Sequence, residues 1–303
     1  MMRANTESES FALGVDVGSG HVSAAVVDLE NNQIVPGTRR RSCVDALGPA
    51  EDILGAWGQT VGDALAQSPV PVDCLAIAMP GPFDYEGGVS HIRYLNKYDA
   101  LYGFNVKEFF ARRFSLPVDH IKMRNEAEAF LAGEVLCGAA AGFGNVVGIK
   151  LGAGLGSARC RHGRTEDAHL STSQFLDGIA EDYLSTRWFV KRCGELAGGP
   201  VRNFGEVLER ECGEPGVQRL FQVFSHNLAH FLGGVIQSEK PEVLLIGGCL
   251  ADAYDRFFPQ LSLLLEKHLD KLVIRRAVLG EDAALIGAAS LWANKMRPCA
   301  ALV

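Results

Sequence analysis

The stretch RNEAEAFLAGE, residues 124–134, decides how this chain is organised. It follows an apolar segment and continues into a helical pattern, so Asn125 and Glu126 lie at a predicted strand-to-helix corner. A carboxylate at such a corner can project into a cleft between two halves of the chain. Glycine-bearing turns lie before it (DVGSG, 16–20) and behind it (LGAGLG, 151–156). This order suggests a general base with a phosphate-binding turn on each side.

The composition limits the class of protein. The chain has 303 residues, 48% hydrophobic and 21% charged, as expected of a globular protein with room for two domains. Its net charge of -7 argues against nucleic acid or an anionic membrane as the main partner. The polar start lacks the apolar core of a signal peptide, and no apolar run is long enough for a membrane span. Eight cysteines without a CxxC pair indicate reduced, mostly buried thiols. We therefore expect a cytoplasmic protein.

The first half of the chain predicts an α/β arrangement that starts with a hairpin. The predicted strands are 11–17, 22–29, 33–35, 75–79 and 118–123, and the predicted helices are 50–66, 106–114 and 126–137. Residues 83–103 are polar and aromatic with little periodicity, and long irregular segments of this kind often carry function.

The second half repeats the same order of elements. Its predicted strands are 146–151, 157–160, 242–246 and 272–275, and its predicted helices are 178–193, 204–212, 216–237, 251–268 and 282–295. A glycine-turn hairpin followed by βαβ units therefore occurs twice, which suggests two α/β domains of similar design facing each other.

Each motif has an ordinary structural explanation when it is taken alone. The turn after Asp16 is also typical of a plain hairpin. Asn125 and Glu126 are residues that cap a helix and favour its positive end. Glu181 lies at a predicted helix start and has the same dipole explanation, while Glu166 and His169 fit a solvated loop. The GxGxG spacing at 152–156 is followed by another strand, so it does not match a dinucleotide fingerprint. The order of the motifs carries the interpretation.

That order resembles the ROK family of repressors, open reading frames and sugar kinases, within the actin-like ATPase and hexokinase superfamily. The resemblance rests on DVGSG, PGP, NE, LGAGLGS, IGGCL and LGEDAALIGAA, and it covers about residues 11 to 293. It implies an α/β fold of two actin-like, ribonuclease H-like domains with a cleft between them. The expected parts are a flexible tail at 1–10, a smaller domain from 11–122 plus a C-terminal helix at 287–303, and a larger domain at 123–286.

The resemblance implies that three glycine-containing segments bind ATP. The first phosphate loop contains Asp16, Gly18, Ser19 and Gly20. The second phosphate loop contains Gly152, Ala153, Gly154 and Gly156. The adenosine-side loop contains Gly247 and Gly248. Asp16 is further implied to hold Mg²⁺, through water.

The remaining implied positions contact the sugar. Glu126 takes the place of the family's catalytic aspartate, and the Asn125 amide is implied to hold sugar hydroxyls. Glu166 and His169 match the family's Glu-x-x-His spacing, and Glu181 matches the glutamate of its Gly-Cys-Leu-Glu motif. Asn96, in the irregular 83–103 segment, is a weaker candidate for a sugar contact.

Three departures from the family pattern shape the expected function. The cysteine-rich zinc motif is missing, so no structural zinc is predicted, and no helix-turn-helix precedes residue 11, which excludes the repressor branch. Glu126 replaces an aspartate. We therefore expect an ATP-dependent kinase of a hexose or N-acetylhexosamine, glucokinase-like, with a possible homodimer by family analogy. The alternative is a catalytically impaired sugar-binding or regulatory protein on the same fold.

Overall fold

The computed structural model describes residues 10–211 and 213–293. The strands are β1 (Phe11–Val17), β2 (His21–Asp28), β3 (Gln33–Ile34), β4 (Arg40–Cys43), β5 (Leu75–Met79), β6 (Phe83–Asp84), β7 (Val89–Ser90), β8 (Ile121–Asn125), β9 (Asn145–Leu151), β10 (Leu155–Arg161), β11 (Arg164–Asp167), β12 (Gln174–Phe175), β13 (Gly178–Ile179), β14 (Val243–Gly247) and β15 (Val273–Arg276). The α-helices are α1 (Ala50–Ala66), α2 (Val106–Phe114), α3 (Glu126–Cys137), α4 (Ala180–Tyr183), α5 (Thr186–Ala197), α6 (Phe204–Glu211), α7 (Pro215–Glu239), α8 (Tyr254–Leu264) and α9 (Asp282–Ala289).

The chain divides into two compact units, and the first is built on a sheet with the order β3-β2-β1-β5-β8. β1 and β2 form an antiparallel hairpin, while β5 and β8 extend the sheet as parallel strands. β4, which the sequence pattern did not predict, pairs with β2. β1 and β5 are buried along nearly their whole length. This is the continuous apolar character expected of strands covered on both faces.

The second unit repeats this topology with the strand order β11-β10-β9-β14-β15. β9 and β10 form the antiparallel hairpin, and β14 and β15 are the parallel strands. The long helix α7 packs against α8, and the aromatic rings of Phe189, Phe221 and Phe224 meet in the core beneath them. The predicted fold class, with two actin-like α/β units, is confirmed.

The unit boundaries differ from those predicted from the sequence. The first unit runs to Gly142 and resumes at Glu281, and the second spans Phe143–Gly280. The predicted break at 122/123 would divide β8, whose residues from Ile121 to Asn125 all pair with β5. Residues 123–142, which contain the end of β8 and all of α3, therefore belong to the first unit and not to the predicted larger domain, and so do residues 281–286.

The last α-helix starts at Asp282, as the predicted helix at 282–295 does, and therefore earlier than the 287–303 helix assigned to the smaller domain. The helix ends at Ala289, and a 3₁₀ turn at Ser290–Trp292 follows it. Residues 294–303 of the predicted C-terminal helix lie outside the described residues, as do residues 1–9 of the predicted flexible tail.

The six cysteines in the described part of the chain are free thiols, and half of them are buried. Cys43, Cys137 and Cys249 are exposed, which is more exposure than the sequence suggested. Within residues 10–211 and 213–293, no helix has both the length and the apolar character that crossing a membrane requires.

Three glycines let α9 approach its neighbours at the level of the backbone. A β-carbon added at Gly287 would lie 1.8 Å from the carbonyl oxygen of Ala129 in α3. One added at Gly133 would lie 2.1 Å from the Ala283 carbonyl oxygen, and one at Gly14 in β1 would lie 2.3 Å from that of Leu285. None of these carbonyls can move without moving the helix or strand that carries it. The contact therefore fixes α3 and α9 against each other and α9 against the sheet.

We expect Gly287→Ala to destabilise the protein strongly, because its methyl group meets backbone and not a movable side chain. The loss in the free energy of unfolding should be on the order of 3 kcal/mol, as for severe overpacking. Gly55→Ala is the matched control in the same unit, since an added β-carbon there meets nothing within 4 Å in the exposed face of α1. That substitution should stabilise by about 0.5 to 1 kcal/mol. Urea unfolding of both variants checks this, and equal effects would contradict the packing described.

Candidate functional site

In the first unit, the turn between β1 and β2 has a buried carboxylate at its base. Asp16, opposite Ser23 in the hairpin register, is only 3% exposed. The Gly18 N–H donates to the His21 carbonyl at 2.9 Å and closes the turn, leaving Ser19 and Gly20 exposed. A β-carbon at Gly18 would lie 2.4 Å from the His21 ring, so a larger residue would have to displace that side chain. Backbone N–H groups in an exposed turn can bind anions such as phosphate.

The strand-to-helix corner forms where the sequence predicted it. β8 ends at Asn125 and α3 begins at Glu126. The Asn125 side-chain oxygen accepts hydrogen bonds from the N–H groups of Ala127, at 2.7 Å, and Glu128, at 3.4 Å. Asn125 is therefore the helix N-cap, which is the ordinary structural explanation of this residue. Glu126 is partly buried at the positive end of the helix, where a carboxylate is favoured.

Tyr85 connects this corner to the end of β5. Its hydroxyl donates to the Met79 carbonyl at 3.0 Å and accepts a hydrogen bond from Asn125 Nδ2 at 3.1 Å. One N–H of the Asn125 amide is thus engaged, and its oxygen caps the helix. The sequence analysis did not single out Tyr85, although it marked the irregular segment in which it lies.

Tyr98 is a second residue of that segment that the sequence analysis missed. It is fully buried, and its hydroxyl donates to the Gly18 carbonyl at 2.5 Å. Burial raises the pKa of Tyr98, and the negative charges of Glu126 and Asp16 raise it further. Tyr98 therefore lies next to the turn between β1 and β2 and near the strand-to-helix corner between β8 and α3. The sheet register also places Asp16 and Glu126 in the same region, because Asp16 pairs with Ala78 and Ala78 pairs with Arg124, two residues before Glu126.

Asn96 lies two residues before Tyr98 on an exposed part of the same segment. Its backbone is left-handed, with φ of 53°, and so are those of Tyr94 and Tyr98. This conformation is uncommon for residues other than glycine and is most tolerated by asparagine. The sugar contact predicted for Asn96 stays a prediction.

In the second unit, the turn between β9 and β10 is closed by its own backbone. The Gly152 N–H donates to the Gly154 carbonyl at 2.9 Å, and the Thr186 N–H donates to the Gly152 carbonyl at 2.8 Å. Ala153 is exposed at the tip, and Gly156 pairs with Lys150 inside the hairpin. The start of α5 is thereby tied to the turn that the sequence predicted as the second phosphate loop.

Glu181 lies directly on this turn. One carboxylate oxygen, Oε2, accepts a hydrogen bond from the Leu155 N–H at 2.9 Å, and the other, Oε1, forms an ion pair with Arg187. One N–H at the end of the turn, that of Leu155, therefore binds a carboxylate. This placement differs from the sugar contact predicted for Glu181.

The glycine pair after β14 meets the same turn. Gly248 has φ of 87°, and a β-carbon there would lie 2.3 Å from the carbonyl oxygen of Leu151, the last residue of β9. Both the left-handed backbone and the close approach require glycine. Gly247 pairs with Lys150 in the parallel ladder. The predicted second phosphate loop and adenosine-side loop are therefore adjacent within the second unit.

The structure gives Glu166 and His169 different partners. Glu166 forms an ion pair with Arg159, whose Nε lies 2.6 Å from its Oε1, and that charge lowers the pKa of Glu166. The His169 side chain is 79% exposed, and its Nδ1 lies 3.3 Å from Asp167 Oδ2. β11 pairs Glu166 with Arg159, so the alternation of side chains along the strand directs Glu166 and Asp167 to opposite faces. Asp167 is the carboxylate that lies beside His169, and the sequence analysis missed it.

Comparison with known proteins gives a consistent family match. Residues 12–166 match the model of the ROK family. A glucokinase from Thermotoga maritima is 24% identical over 92% of this chain and 96% of its own length. A beta-glucoside kinase from Klebsiella pneumoniae is 26% identical over 71% of this chain and 76% of its own. The crystal structure of a ROK family glucokinase from Streptomyces griseus in complex with glucose and AMPPNP has a TM-score of 0.77 at 21% identity, covering 93% of this chain and 98% of that one.

We expect Asn125→Ala to lower the free energy of unfolding by about 1 kcal/mol, because the Ala127 N–H loses its acceptor. Asn125→Asp is the matched control, since a carboxylate keeps an acceptor at the N-cap and suits the helix dipole. Its effect should be under about half that size. Urea unfolding measures both. If the two variants are equally destabilised, capping is not the structural role of Asn125.

A second pair of variants tests the anion-binding turn. A β-carbon at Gly154 would lie 2.3 Å from Glu181 Oε2 and should displace that carboxylate from the Leu155 N–H. We expect Gly154→Ala to cost about 1 kcal/mol of stability, the net value of one hydrogen bond. Gly152→Ala, where the nearest atom would be 3.9 Å away, should cost less. Thermal unfolding compares the two, and a larger loss for Gly152→Ala would contradict the described contact.

Proposed function

This chain belongs to the ROK family, and we propose that it is an ATP-dependent sugar kinase. It would transfer the γ-phosphate of ATP to a hydroxyl of a hexose or N-acetylhexosamine. The main support is the grouping, in the first unit, of a buried Asp16, an exposed glycine turn and Glu126 around Tyr98. These are the groups that phosphoryl transfer to an alcohol needs: a phosphate-binding turn, a carboxylate for the metal ion and a base.

Glu126 would act as the general base. It would accept the proton of a sugar hydroxyl while that oxygen forms a bond to the γ-phosphorus of ATP. The bond between this phosphorus and the bridging oxygen breaks, and its electron pair leaves with ADP. General base catalysis of this kind is worth about 10² to 10⁴ in rate.

The two glycine turns would bind the phosphates of ATP. In the first unit, Ser19 and Gly20 are exposed, and their backbone N–H groups are the proposed phosphate contacts. In the second unit, the turn that now holds the Glu181 carboxylate has the anion preference that a phosphate requires. Gly247 and Gly248, adjacent to that turn, would allow the adenosine to approach the backbone closely.

Asp16 fits a magnesium ion that arrives with the nucleotide. Mg²⁺ keeps several waters and binds proteins through one or two carboxylates together with substrate phosphates. A single buried carboxylate at the base of the first phosphate turn meets this requirement. Bound there through water, the ion would neutralise charge on the phosphates during transfer.

Asn125 and Asn96 are proposed sugar contacts that have no ion pair in the described structure, and His169 is a third whose Nδ1 lies 3.3 Å from Asp167 Oδ2. Asn125 can still donate one amide hydrogen, and Asn96 and His169 are exposed. Glu166 would have to leave Arg159 to reach a sugar. Glu181 would likewise have to leave the Leu155 N–H and Arg187. The proposed sugar is a hexose or an N-acetylhexosamine.

A second candidate function is non-catalytic sugar binding or regulation on the same fold. The observation that favours it is the length of the Glu126 side chain, one methylene longer than the aspartate that the family pattern implies. A displacement of about 1 Å at the reacting group can cost on the order of 100-fold in rate. Such a protein would bind a sugar without transferring phosphate to it.

We expect wild-type protein to release ADP from MgATP only when its sugar is present, and Glu126→Gln to lower that rate by at least about 100-fold. A coupled ADP-release assay across hexoses, hexosamines and N-acetylhexosamines measures this. Glu128→Gln is the matched control, because it removes a carboxylate from the same first turn of α3 and should retain most of the activity.

Two outcomes separate the candidate functions. If no sugar stimulates ADP release in wild type while Glu126→Asp gains activity, the natural chain is not a kinase. A sugar that raises the melting temperature without being phosphorylated would support the non-catalytic alternative, since a ligand of the native state stabilises it.

A further inference from the structure

The hydroxyl of Tyr98 makes a contact with the first phosphate turn that spans 80 positions in the sequence. It donates to the Gly18 carbonyl at 2.5 Å, and the whole Tyr98 side chain is buried. A phenol hydroxyl buried in this way must find a partner or lose the free energy of its hydration. The acceptor of its hydrogen is the backbone carbonyl of the turn.

The surroundings of Tyr98 hold its ring in one position. The Tyr98 N–H donates to the Ala46 carbonyl at 2.6 Å, and its ring meets Trp57 edge-on at 5.3 Å between ring centres. Its backbone has φ of 55°, which is rare for a bulky residue. A conformation of this kind persists only where the surrounding structure enforces it, and it is concentrated at functional sites. The hydroxyl is therefore a fixed donor.

The geometry of the peptide unit turns this contact into an orientation for the next residue. A trans peptide is planar, so the Gly18 carbonyl and the Ser19 N–H point in opposite directions. Because Tyr98 holds the carbonyl on its buried side, the Ser19 N–H points away from the core, and Ser19 is exposed. Glycine accepts both orientations of such a peptide at low cost, so Gly18 alone does not select one.

The charges nearby keep Tyr98 a neutral donor. Burial raises its pKa, and the carboxylates of Glu126 and Asp16 add to that shift. A neutral phenol can donate to a carbonyl at any pH at which the protein is folded and these carboxylates are ionised.

We propose that Tyr98 is a positioning residue that holds the turn between β1 and β2 with the Ser19 N–H facing the nucleotide, and so sets the affinity for ATP. This inference rests on the proposed function, in which that turn binds phosphates. It assigns to Tyr98 no contact with substrate. Its effect is on nucleotide binding, not on sugar binding or proton transfer.

The test compares Tyr98→Phe with Tyr102→Phe. The first keeps the ring against Trp57 and removes only the hydroxyl, while the second removes a hydroxyl from a half-exposed tyrosine of the same segment. Titration calorimetry with MgADP, without sugar, should show about tenfold weaker binding for Tyr98→Phe, as for the loss of one hydrogen bond. The KM for ATP should rise by a similar factor, with the KM for sugar changed less than about twofold. Tyr102→Phe should match wild type in both.

Hydrogen exchange followed by mass spectrometry provides a measurement that does not depend on activity. MgADP should slow exchange in the 18–21 segment of wild type, and Tyr98→Phe should speed it without any ligand. Should Tyr98→Phe fail to fold, MgADP binding to wild type that leaves residues 18–21 unprotected would still overturn the proposal.

Several results would overturn it. One is a Tyr98→Phe variant that is less stable but binds MgADP and uses ATP as wild type does, which would make the contact purely structural. Another is MgADP binding that leaves the 18–21 segment unprotected.

A wild type that binds MgADP normally but phosphorylates no sugar would contradict the proposed function and leave the role of Tyr98 in nucleotide binding supported. A wild type that does not bind MgADP would overturn both.

Discussion

The backbone contact between α3 and α9 is the constraint on which the first unit depends. Because Gly133 and Gly287 have no side chain, the backbones of the two helices are in direct contact. Gly14 lets α9 pack directly on β1 in the same way. Arg124 adds a hydrogen bond from Nη1 to the Gly287 carbonyl at 3.1 Å, just before the helix corner. The start of α3, and with it Glu126, is thereby fixed relative to the sheet that carries Asp16. A proposed base is useful only if its position is set to within a fraction of an ångström.

The regular elements could be predicted because their sequence patterns are local. The bounds of α1, α2 and β5 match the prediction, since each is a periodic or apolar run that ends at a turn residue. The repeated hairpin design could be predicted for the same reason. β4 could not, because RRSC at 40–43 has no strand periodicity and pairs only where β2 offers an edge. The unit boundaries were missed because β8 belongs to the first sheet by pairing, which sequence alone does not show.

The site was predictable in its glycines and carboxylates, and less so in their partners. Gly248 and Gly18 stand where the motif order placed them, and each is explained by a close approach. Tyr85 and Tyr98 were missed because their roles come from individual hydrogen bonds of their hydroxyls, to the Met79 and Gly18 carbonyls and from Asn125, which leave no periodic signal. Glu166 and Glu181 matched a spacing, yet in the structure each pairs with an arginine, Arg159 and Arg187. Spacing fixes which residues are near, whereas neighbouring charges decide which contacts form.

The central claim is that phosphate passes from ATP to a sugar hydroxyl on this protein. Mass spectrometry of the sugar after incubation with wild-type protein and MgATP tests it most directly, because it detects the product and not merely the use of ATP. We predict that at least one hexose or N-acetylhexosamine gains the mass of one phosphoryl group, and that Glu126→Gln prevents this. Consumption of ATP without a phosphorylated sugar, or no reaction with any sugar of these classes, would contradict the claim.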